Sequence, residues 1–209
     1  MKHFSQSAIC CLLIFLPTSL AGGWGQDLSQ FDLSTKEGVN AAREAIAGKK
    51  LDERSKNCVR LDSDLPGIAV VGGFAYDYGC RVQGVFVKSR YFEKDDTTLS
   101  KSALDSLGWK TANPQQRQKL VRAWVEKGLL AFLSVPGEKD KDFGERSFQP
   151  PQATSKADGE TIVRLWIRMP SGRNRGRSYQ LREYKFSKDG DLAGSATLES
   201  FSVSKDGDG

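Results

Sequence analysis

The 209-residue chain carries 31 Lys and Arg against 26 Asp and Glu, a formal net charge of +5, and its mean hydropathy is −0.47. A stretch of roughly 20 apolar residues is needed to span a bilayer, and none occurs, which argues against a transmembrane helix and leaves an uncleaved N-terminal anchor as the alternative to a signal peptide. The chain has one histidine, His3, and four cysteines, so chemistry built on imidazole clusters is excluded as well.

The first residues read as a secretory signal: Met1 and Lys2 give a positive start, residues 8–16 an apolar run, Pro17 a break, and Ser19-Leu20-Ala21 a small-x-small site. Cleavage is predicted after Ala21, leaving residues 22–209 as a single domain, a size that supports a sizeable core. Cys10 and Cys11 sit in the apolar run, where Ile9 is too bulky for lipoprotein processing. Removal of the leader also removes His3, and with it every triad or dyad that uses histidine. Cys58 and Cys80 remain. One pair in an exported chain is predicted to form a disulfide. Asn40, Asn57, Asn113 and Asn174 all fail the N-x-Ser/Thr test, compatible with a periplasmic or secreted protein.

In chain order, Ser34 and Glu37 make a capping box for a helix over 35–47, with Val39, Ala42 and Ile46 on one face and Gly48 as its stop. The β-branched runs 67–73 and 81–88 predict two strands joined by the cysteines. Between them GGFAYDYGC places Phe74, Tyr76 and Tyr78 on one face of a strand, either as core or as an aromatic patch for a ligand or partner. Leu99, Ala103, Leu104 and Leu107 predict a helix capped by Gly108, with Trp109 folding back on Leu104. Asn113-Pro114 opens a second helix whose buried face is Leu120, Val121, Trp124 and Val125 and which Gly128 ends. Residues 129–135 read as a short apolar strand, and residues 136–160 as a polar surface loop with only Phe143 and Phe148 to bury. Three further strands, 161–169, 179–187 and 195–203, form a meander returning to the common sheet, with a type I′ turn at Asp189-Gly190. The pattern predicts an α+β fold: a mainly antiparallel sheet with about three helices packed on it.

The densest chemical signal is SGRNRGRSYQLR, residues 171–182. Between Arg164 and Lys188 eight basic residues stand against one acid, Glu183, a local charge of +7. The rest of the chain without its leader is net acidic. Arg173, Arg175, Arg177 and Arg182 are the candidate anion-binding residues, since guanidinium forks take phosphate, sulfate or carboxylate. The alternative is a solvated strand pair whose charges prevent aggregation. A helix-turn-helix followed by a basic hairpin also has the element order of a winged helix, but export argues against a nucleic-acid partner.

Catalysis has thinner support. Asp62, Asp64, Asp77, Glu93, Asp95 and Asp96 are the acids available for a carboxylate mechanism, each with a plainer use in a turn or helix start. Asp189-Gly190-Asp191 resembles a calcium loop, yet Ala193 stands where an oxygen ligand belongs. No catalytic group, metal or cofactor is assigned. The sequence therefore predicts an exported, non-catalytic binding module that presents a basic hairpin to an anionic protein, glycan or lipid head group. A carboxylate-dependent hydrolase and a structural subunit of a cell-envelope assembly are the alternatives.

Overall fold

The computed structural model describes residues 28–76, 79–137, 140–143, 148–169 and 176–204. The leader with His3, Cys10 and Cys11 lies outside them, as do Asp77, Tyr78, Arg173 and Arg175. Four α-helices and two antiparallel four-stranded sheets make an α+β fold, with Cys58 and Cys80 joined as a disulfide.

The first helix, α1, is Lys36–Ala47. Its N-cap is Thr35, whose hydroxyl accepts from the Gly38 amide at 3.1 Å, rather than Ser34, which is held in the preceding turn by Asp32. Val39 and Ala42 are its buried apolar face, and Gly48 ends it in a left-handed conformation, φ 63°. Arg43, on the same helix, is almost wholly buried: it donates to the Gly72 carbonyl at 2.6 Å and the Ser55 carbonyl at 2.9 Å. The short α2, Glu53–Lys56, begins at the Asp52 cap and leads into Cys58.

The first sheet is β1 (Val59–Leu61), β2 (Ile68–Ala75), β3 (Gly79–Val87) and β4 (Arg90–Glu93), in that order. The unbroken apolar run of β2 follows from burial on both faces. Ala69 and Val71, with Phe86 of β3, pack on α1, while Ile68 and Val70, with Val85 and Val87, face the main core.

Helix α3, Leu99–Ser106, stops at Gly108, which adopts φ 92°. Trp109 is then buried and donates its indole N–H to the Lys188 carbonyl at 3.0 Å, with the Arg117 guanidinium over its ring. Helix α4, Pro114–Ala123, carries the reciprocal cap of Asn113 and Gln116.

Two expectations fail at its end. Gly128 does not terminate the helix: a π-helical turn continues through Trp124–Leu129, and the Trp124 ring occupies the space that a side chain at Gly128 would need, so the glycine serves packing and not a cap. The strand predicted over 129–135 is absent: Leu129 belongs to that turn of helix, and residues 130–133 form turns and a bend before one isolated bridge, Ser134 to Arg168.

The second sheet is β5 (Gln152–Ser155), β6 (Thr161–Met169), β7 (Arg177–Phe186) and β8 (Leu192–Val203), again in chain order. The C-terminal meander therefore does not join the first sheet. Without a strand at 129–135 nothing carries the ladder across. The two sheets nevertheless share one buried cluster: Val163, Leu165, Ile167, Tyr184 and Phe186 meet Val70, Val85, Leu104, Val121 and Trp124 in it. The predicted loop over 136–160 also holds more than expected, namely β5 and a 3-10 turn, Lys141–Phe143. The β7–β8 connection is not type I′. Lys88 is the one described non-glycine residue with positive φ, so Asp189 lacks that turn's conformation, and Gly190 alone adopts φ 86°.

Candidate anion-binding face

Alternation along β6 and β7 sends Arg164, Trp166 and Arg168 to the face of the second sheet away from the main core. Their cross-strand partners are Glu183, Leu181 and Tyr179. The 3-10 turn covers part of this face. Phe143 is buried there with its ring centroid 5.3 Å from those of Trp166, Tyr179 and Phe201, and Tyr179 stacks on Phe201 at 4.9 Å.

That cover brings Asp140 and Asp142 to the arginine hairpin, and Asp140 accepts from the Tyr179 hydroxyl at 3.3 Å. Asp142 accepts from the Tyr179 hydroxyl and, through both carboxylate oxygens, from one Arg177 nitrogen at 2.9 Å. The Tyr179 hydroxyl and the Arg177 guanidinium together hold the Asp142 carboxyl below its ordinary range. Burial, and then the bond to Asp142, push the Tyr179 hydroxyl well above its own. Deeper on the same face, Glu183 accepts from Arg164 at 2.7 Å and pairs with Lys185 at 3.2 Å; the bond from Arg164 is the main cause of its lowered pKa.

Charge is thus only partly matched. Arg164, Arg168, Arg177, Arg182, Lys185 and Lys188 are the hairpin's described cations, and two carboxylates, Asp142 and Glu183, pair with them. Arg168 and Arg182 have no ion pair among the described residues, although Arg182 donates to Gln180 at 3.0 Å. Of the four arginines proposed from sequence, Arg177 is engaged by Asp142, Arg182 lies half-buried beside Gln180 on the opposite face of the sheet, across from Leu165, and Arg173 and Arg175 fall outside the described residues. The contribution of Asp142 was invisible in sequence, because it lies 35 positions from Arg177. The adjacent apolar Phe143 is the one signal that this segment docks.

The aromatic patch forms a second surface at the end of the β2–β3 hairpin. Phe74 is 36% and Tyr76 82% exposed, in an edge-to-face pair with centroids 6.0 Å apart. The Arg54 guanidinium covers both rings, at 5.3 Å and 4.9 Å. The disulfide ties the α2 segment that carries Arg54 to this hairpin. Tyr78 lies outside the described residues. Arg54 was not expected from sequence, where nothing links it to the aromatics.

Three of the acids weighed for catalysis, Asp62, Asp64 and Asp96, have structural partners, and Asp77 lies outside the described residues. Asp62 and Asp64 both accept from Lys127, the former at 3.1 Å, and Arg60 also lies near Asp62. Burial opposes ionisation of Asp62, but the Asp64 amide and Lys127 outweigh it and hold its pKa low, the opposite of what a general acid needs at neutral pH. Asp96 accepts from the amide and hydroxyl of Thr98 at the start of α3. Among the described residues no group of His, Cys, Asp and Glu is arranged to hold a metal, and no helix is long and apolar enough to cross a membrane.

Comparison with protein-family models, with curated proteins and with solved structures finds no match.

Proposed function

We propose that this protein is an exported binding module that docks an anionic partner on the basic hairpin formed by β6 and β7. The observation that carries the reading is the imbalance on that hairpin: six described cations against three carboxylates, Asp142 and Glu183 paired with them and Asp140 beside Tyr179, with Arg173 and Arg175 adding to the cations in the connecting segment. Such a surplus raises the local concentration of anions and speeds their association. Export is supported by the pattern of residues 1–21 and by a disulfide, which persists in oxidising compartments. Binding is favoured over catalysis because Asp62 and Asp64 are committed to Lys127. The exposed pair Phe74 and Tyr76, with Arg54, has the composition of an interface anchor and supplies a second contact for the same role.

The test is retention on immobilised heparin, used as a generic polyanion, at physiological salt. Arg168→Ser, Arg173→Ser and Arg175→Ser combined are expected to abolish retention while the thermal midpoint stays unchanged. These positions avoid Arg177, whose loss would also free the Asp142 turn. Retention equal to that of the unaltered protein overturns the proposal.

A further inference from the structure

Away from the second sheet's hairpin, an open cleft of about 630 Å³ is lined by residues 28–34, the connection from β1 to β2 and the turn joining β3 to β4. That volume is within the range of small-molecule sites, roughly 300–1,000 Å³. Its apolar wall comes from Phe31, Leu33, Leu61, Leu65 and Ile68, and serines at 29, 34, 63 and 89 are interleaved with them. Leu65 and Ile68 are anchored in the main core and Phe31, Leu33 and Leu61 pack on the α1 cluster, so the cleft lies where the two cores adjoin.

Lys88 stands on the rim. It holds the first position of the two-residue turn between Val87 and Arg90, and its φ is 55°. Glycine is the residue that this position favours, and a lysine there costs backbone strain. The turn is fixed by the Lys88 amide donating to the Gly67 carbonyl at 2.7 Å. Lys88 has no ion pair among the described residues. Asp62, the one acid on the lining, is already matched by Lys127 and Arg60. An apolar trough with one such cation at its mouth complements an aliphatic chain that ends in a single negative charge.

We propose that this cleft binds a single-chain amphiphile with a carboxylate head, the tail against Phe31, Leu33, Leu61 and Ile68 and the head on the Lys88 ammonium. The strained backbone at Lys88 is then the cost of placing a cation where glycine would fold more easily. This site is independent of the basic hairpin on the second sheet.

The experiment is isothermal titration of the protein with sodium laurate below its micellar concentration, beside dodecyltrimethylammonium and dodecyl maltoside, which share the tail. Saturable one-to-one laurate binding is expected, with each control weaker by about tenfold or more, the scale of one charge-assisted hydrogen bond. Lys88→Gly is expected to lose laurate affinity by a similar factor with an unchanged or higher thermal midpoint, and Lys88→Arg to retain it. Lys88→Asn, which also tolerates positive φ, serves if the glycine variant loosens the turn. Equal affinity for the three heads, no saturable laurate binding, or full affinity in both the glycine and asparagine variants overturns the proposal.

Discussion

The ring of Trp124 lies against the backbone of Gly128: a β-carbon placed on Gly128 would be 2.2 Å from the ring. Trp124 is fully buried and donates its indole N–H to the Ser100 hydroxyl at 3.1 Å, so it has no room to retreat. Gly128→Ala, which normally favours a helix, is therefore expected to destabilise the protein by about 1–3 kcal/mol, the range for overpacking a well-filled core. Urea denaturation measures it. A stability equal to or above that of the unaltered protein contradicts the contact.

The disulfide gives a second prediction. Cys58 and Cys80 are 22 positions apart, and closing a loop of that length restricts the unfolded chain by about 3 kcal/mol in the loop-entropy model. Replacing both cysteines by alanine is expected to lower stability by about that amount. Because Phe74 is the cross-strand neighbour of Cys80, it is also expected to loosen the aromatic tip. Denaturation with and without reductant gives the first value, and hydrogen exchange at residues 72–76 the second.

The contact of Asp142 with Tyr179 and Arg177 makes stability depend on pH at both ends. The folded carboxyl of Asp142 titrates below the ordinary value of about 3.9, so its contribution is complete above that value and is lost as pH falls through the folded pKa. Tyr179 is raised, so its contribution is complete below about 10 and is lost as pH rises through the folded value. Asp142→Asn is expected to cost about 1–3 kcal/mol at pH 7, as removal of a charged hydrogen-bond partner does. The difference from the unaltered protein should begin to shrink only below the ordinary value of about 3.9 and disappear as pH falls through the lower folded pKa. A difference that stays constant as pH is lowered from 7 until the unaltered protein unfolds in acid rules out the charge of Asp142 as its source.

Local signals in the sequence located the elements well. Asn113 with Pro114 placed the start of α4, Gly108 the end of α3, and the alternation of residues 161–169 gave β6 its observed limits. What was illegible depends on partners distant in sequence. The apolar run 129–135 has a strand's composition, yet with no neighbouring strand to pair along its length it resolves into turns. Gly128 makes room for a ring one turn earlier and does not cap the helix, a use that no glycine rule anticipates. On the candidate face the cations were legible as a cluster, whereas the acids matched to them were only half visible: Glu183 lies within the hairpin, and Asp142 arrives on a turn docked through Phe143.

Glu183 separates the structural from the functional reading of that face. It is 5% exposed and serves Arg164 and Lys185 together, so Glu183→Gln removes the charge of the acid while keeping most of its shape. Its pKa is lowered in the fold, so the stability it supplies is present above the ordinary glutamate value of about 4.3 and is lost as pH falls through the folded pKa. At pH 7 the variant is expected to be less stable by about 1–3 kcal/mol, because two charged donors lose their ionised acceptor. The hairpin, with one negative charge fewer, should bind heparin more tightly than the unaltered protein and with a steeper dependence on salt. If the arginines only solvate a strand pair, stability falls and retention does not change. Opposite movements of stability and retention in one variant are what anion docking on this hairpin requires.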